Sequence, residues 1–157
     1  MEPQSQEAVH TLNKLIEVCL DGELGYRTAA AHLHDEKIRI ILTDFAIRRA
    51  QFADELRTEV ERTGGNPHES GSFVASLHRG WIALKSAASG GDAKAIVAAC
   101  ETGEDAARAT YEHAIKADLP RETRAIVENQ WRLIEKACER IREIHCGIGL
   151  NEPDIEE

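Results

Sequence analysis

The chain has 157 residues, with 19 Lys and Arg against 28 Asp and Glu, a formal charge of −9. That length provides for one domain with one substantial core, and the negative charge repels phosphate backbones, so nucleic acid is not expected as a partner. No apolar run reaches the roughly 18 residues that span a bilayer, and the opening MEPQSQEAVH lacks the basic and apolar regions of a secretion signal, so the reading is a cytoplasmic protein with no membrane partner.

Alanine-rich composition, 4 prolines and 4% aromatic residues favour helices over a sandwich or barrel. From Gln4 to about Leu33, Leu12, Leu15, Ile16, Cys19, Glu23, Tyr26, Ala30 and Leu33 recur at steps of three and four, one face of a helix. Asp35 is a fitting N-cap for a second helix, striped by Ile38, Ile41, Phe45, Arg48 or Arg49, Phe52, Leu56 and Val60. Thr63-Gly64-Gly65-Asn66-Pro67 ends it near Arg62. Ser70 or Ser72 then caps a shorter helix through Phe73, Leu77, Trp81 and Leu84, a crossover at about residues 72–88 that stops at Ser89-Gly90-Gly91. Asp92 caps the next long helix, striped by Ile96, Val97, Cys100, Glu104, Ala107, Tyr111, Ala114 and Ile115 and ended by Leu119-Pro120. The last begins at Pro120 or Arg121, with Ile126, Val127, Gln130, Leu133, Ile134, Ala137, Ile141 and Ile144 on its stripe, until Gly147 and Gly149 release the acidic tail NEPDIEE. The expectation is an all-α, ferritin-like four-helix bundle, with a helical crossover between the second and third bundle helices. It forms one domain over residues 1–150, with 151–157 as the tail.

Four apolar stripes carry polar interruptions at one level. Glu23 and Arg48 are each about 16–20 Å from the first turn, and Glu104 about 18 Å from the start of its helix. Glu23, Arg48 or Arg49, and Glu104 therefore share a level, with Tyr26, Tyr111 and Gln130 as neutral hydrogen-bonding neighbours. A buried carboxylate needs a cation, hydrogen bonds or a proton. The glycines Gly22, Gly25 and Gly103 leave room for a close helix approach or a bulky partner.

The runs LNKLIEVCLDGELGY, RRAQFADEL, LHRGW and ETGE followed by Tyr, in this order over about residues 8–146, resemble the ferritin-like bacterial four-helix-bundle family of unknown function. In iron-binding relatives of that superfamily, the first helix supplies a glutamate and the second a Glu-x-x-His pair. The resemblance puts Glu23 and Glu104 at two ligand positions, but Arg48-Arg49-Ala50-Gln51 stands where Glu-x-x-His is expected, and Cys138 where relatives can carry histidine. It thus implies a degenerate metal site, held by a Glu/Arg layer in a non-catalytic, stress-related or interaction module whose partner is another protein or a second copy. The alternative is an atypical metal-binding or di-iron-type enzyme using Glu23 and Glu104 to hold iron, manganese or zinc.

The remaining candidates read as structural. The one local Glu-x-x-His, Glu7 to His10, sits in a solvated first turn, and His32, His34 and His145 are end-of-helix residues. Trp81 and Trp131 read as packing residues. Cys19, Cys100, Cys138 and Cys146 show no Cys-x-x-Cys spacing and are expected as free thiols.

Overall fold

A computed structural model describes residues 3–68 and 80–150. Among these residues the chain is all-helical, with no strand. Helix α1 is Pro3–His32, α2 Glu36–Arg62, α3 Ile82–Gly90, α4 Ala93–Ile115 and α5 Arg121–Leu150. Local chemistry sets most of the boundaries. The Asp35 carboxylate accepts from the Ile38 amide at 3.1 Å and that of Asp92 from the Lys94 amide at 3.2 Å, so each start has an acceptor for a first-turn N–H. After α2 the chain turns at Gly64, φ +85°, and after α3 at Gly91, φ +68°, where a side chain would be strained.

Two boundaries differ from the sequence reading. Gly147 lies within α5, which runs on to Leu150, because a glycine inside a helix costs only about 1 kcal/mol and needs no positive φ. Ser70, Ser72, Phe73 and Leu77, expected in the crossover helix, fall outside the described residues, as does the tail 151–157. In the described part of the crossover Gly80 and Trp81 form a π-helical turn, with φ +105° at Gly80, that runs directly into α3 at Ile82.

Helix α1 packs against α2, and α4 against α5, in two hairpins; α1 meets α4, α2 meets α5, and α3 lies on α4 and α1. The buried side chains form two apolar clusters. One holds Leu12, Leu15, Ile16, Phe52, Leu56 and Val60 with Ala107, Val127 and Ile134. The other holds Ala29, Leu33, Leu42 and Ala46 with Trp81, Leu84, Ile96, Val97 and Ile141. All four long helices contribute to both, and the buried Arg49 and Glu104 side chains stand at the junction.

Candidate functional site

Glu104, wholly buried on α4, is the centre of the polar layer. Its Oε1 accepts from Nη2 of Arg49 on α2, and its Oε2 from the Tyr26 hydroxyl on α1. Arg49 is 3% exposed and Tyr26 not at all, so three helices meet in one ion pair and one hydrogen bond from a neutral donor to the same carboxylate, shut off from water. The guanidinium carbon also lies 5.8 Å from the Tyr26 ring centroid. Burial pushes the Tyr26 hydroxyl well above the usual phenol range, against the pull of Arg49, and keeps it a donor.

Glycines shape the walls. A Cβ on Gly22 would lie 2.9 Å from Arg49 Nη1, so the bare backbone gives the guanidinium its berth. On the other side the Trp81 indole wedges between α1 and α4: a Cβ on Gly25 would come within 2.4 Å of the ring, and one on Gly103 within 2.3 Å. Trp81 meets Tyr26 edge-on with centroids 5.1 Å apart, and Phe45 does so at 5.5 Å. The crossover thereby closes the layer with an aromatic side chain.

Two turns along, a neutral set repeats the arrangement. Cys19 and Tyr26 are seven residues apart on α1, as are Tyr111 and Glu104 on the antiparallel α4, which separates the two sets by roughly 10 Å. Tyr111 donates to Gln130 Oε1 at 2.7 Å, and the Gln130 amide reaches the Phe52 carbonyl at 3.4 Å. With the one phenolic proton so placed, Cys19, whose sulfur is 3.1 Å from the Tyr111 oxygen, is the S–H donor. Burial raises the Cys19 thiol to about 11, only partly offset by Arg49, so it is held protonated.

Of the residues singled out from sequence, Tyr26, Arg49, Glu104, Tyr111 and Gln130 are buried between the helices. Glu23 and Arg48 are not. The Glu23 side chain is 28% exposed and pairs along its own helix with Arg27 at 3.7 Å, because three residues of helical twist carry it to the rim of the stripe that Tyr26 centres. Arg48 is exposed; of the two adjacent arginines Arg49 points inward, three residues before the buried Phe52. Asn13, Asp21, Glu59 and Thr123 are buried polar residues that the apolar stripes did not mark. Asn13 anchors the chain leaving α2, donating to the Asn66 carbonyl at 3.1 Å and accepting from the His68 amide at 2.9 Å, while Thr123 donates to Glu59 across α5 and α2 at 3.0 Å.

These residues do not fit iron, manganese or zinc. Both oxygens of Glu104 are engaged by donors, one of them a cation, and Glu23 stands at the surface. Among the described residues no three His, Cys, Asp or Glu side chains converge in a way that would hold an ion. Three of the histidines pair elsewhere: His68 with Glu17 at 2.9 Å, His145 with Glu101 at 2.7 Å, and His32 with the Thr28 carbonyl at 2.9 Å. No helix among the described residues is long and apolar enough to cross a membrane.

No curated protein matches the chain. A family model described as a domain of unknown function (DUF2383) matches residues 7–117, which takes in α1 to α4 and with them Tyr26, Arg49, Trp81, Glu104 and Tyr111. The chain belongs to that family.

Proposed function

We propose that the protein is a non-catalytic, ferritin-like four-helix bundle, with α1, α2, α4 and α5 as its bundle helices and α3 in the crossover, acting as a stress-related or interaction module. The observation that carries this reading is the complete engagement of the Glu104 carboxylate by Arg49 and Tyr26. A metal ligand at that level would have to give up a buried ion pair and leave the guanidinium without a counter-charge, which costs several kcal/mol. The layer then specifies how the helices meet rather than supplying chemistry. Its partner is another protein or a second copy of the chain.

Elemental analysis of protein purified without added metal tests the reading, together with melting curves taken with iron, manganese or zinc. Substoichiometric metal and an unchanged melting temperature are expected. Stoichiometric metal that raises the melting temperature of the wild type, and not of Glu104→Gln, would overturn it and place the protein among metal binders.

A further inference from the structure

At the level of Gly25 and Gly103 the seam between α1 and α4 is filled by Trp81. Toward the α1 N-terminus the same seam opens into a groove of about 320 Å³, close to the lower end of the range for small-molecule sites. Both helices present it with a stripe at helical spacing. Glu7, His10, Thr11 and Lys14 come from α1; Thr110, His113 and Ala114 come from α4, followed by Lys116 and Ala117 just past its end. Leu15 and Ala114, both buried, make an apolar floor. Two ammonium groups and two imidazoles stand on the rim, against the single carboxylate of Glu7. Among the described residues none of His10, Lys14, His113 and Lys116 makes a side-chain hydrogen bond or ion pair.

Arg124 offsets the main negative feature beside the groove, the carbonyl end of α4, by donating to the Ile115 carbonyl and, at 2.6 Å, to that of Ala117. On α1 only Glu7 lies close to the helix's positive N-terminal end, so the charge of that wall comes from the Lys14 side chain. Asp118, just beyond α4, is not among the lining residues and accepts from the Gln4 amide at 3.0 Å, which leaves its charge in place outside the groove. Glu7, His10 and His113 are donors that suit a divalent cation, but two lysines beside them repel one and the three do not converge on a point.

We propose that this α1/α4 groove binds a small organic anion, its apolar body against Leu15 and Ala114 and its carboxylate or phosphate head between Lys14, Lys116 and the two histidines. The site is independent of the Glu104 layer and of the reading given for it.

Titration of the full chain with phenyl phosphate and with phenylacetate, followed by amide chemical shifts, tests the proposal. At least one probe is expected to saturate with a Kd below about 1 mM, moving the amides around His10, Lys14, His113 and Lys116. The response to each distinguishes a phosphate head from a carboxylate. The double variant Lys14→Gln/Lys116→Gln, whose changes are on exposed side chains, should keep the wild-type melting temperature and bind about tenfold more weakly. Failure of both probes to saturate, shifts that map elsewhere, or affinity unchanged in the variant would overturn the proposal. So would inorganic phosphate binding as tightly as phenyl phosphate, which would leave the apolar floor without a part, or zinc binding at His10 and His113 more tightly than either anion.

Discussion

Glu104 supplies the counter-charge that lets Arg49 be buried, and its two oxygens hold partners from two other helices. Glu104→Gln keeps the shape and removes the charge, so it should lower stability by roughly 3 to 5 kcal/mol in urea unfolding, while Arg49→Met combined with Glu104→Leu should cost much less. Equal losses in the single and double variants would mean that packing, not charge, dominates there. The thiols offer a second measurement at this scale. Burial raises Cys19 to about 11 and Cys100 to about 12 from an ordinary 9.0. Below pH 9 folded and unfolded chains both hold these protons; above it the unfolded chain releases them first, so stability falls from pH 9 toward 11–12, by about 2 to 3 kcal/mol per thiol at pH 11. The decline should be shallower in Cys100→Ala. At pH 8 a disulfide-exchange reagent should titrate the exposed Cys146 quickly and Cys19, Cys100 and Cys138 only on unfolding. Sequence periodicity located Glu104 and Tyr26 because both lie at the centre of their stripes. It could not choose between Arg48 and Arg49, and it misplaced Glu23, because neighbours on a helix differ by 100° and a stripe tolerates more than that.

At the scale of elements, the placing of the crossover depends on one indole lying between two glycines. Gly103→Ala would set a Cβ 2.3 Å from the Trp81 ring, so it should expel the side chain, redden tryptophan emission and cost about 1 to 3 kcal/mol. In a Trp81→Ala background the same change should be neutral or stabilising by up to about 1 kcal/mol, since alanine is the better helix former. A penalty of the same size in both backgrounds would show that the glycine serves the backbone instead. The helix starts at Asp35 and Asp92 were legible because a cap is local, a side chain meeting an amide two or three residues ahead. The glycines in α1 and α4 announced a bulky neighbour without naming it. Trp81 is 56 residues from Gly25 and 22 from Gly103, and only the folded chain brings them together.

For the molecule as a whole, two apolar clusters stand either side of the polar junction, but all four long helices run through both. Neither half has a long helix of its own, so the described fold should unfold as one cooperative unit. Trp81 reports on one cluster and Trp131, packed at the edge of the other, on its opposite half. Urea midpoints read from Trp81→Phe and Trp131→Phe variants should therefore coincide once each variant's own stability, measured by circular dichroism, is taken into account. Two separated transitions in either variant would show that the clusters melt independently. The same architecture bears on the order of events. The α1–α2 and α4–α5 hairpins close through residues near in sequence, whereas Arg49 and Tyr26 reach Glu104 across 55 and 78 residues. Arg49 must shed its water when the hairpins dock, and a partner waits for it at only one depth. Docking a turn too high or too low would strand a guanidinium among alanine and leucine, so such encounters should separate before they consolidate. The buried ion pair should thus act as a kinetic proofreader, rejecting misaligned collisions between the two hairpins.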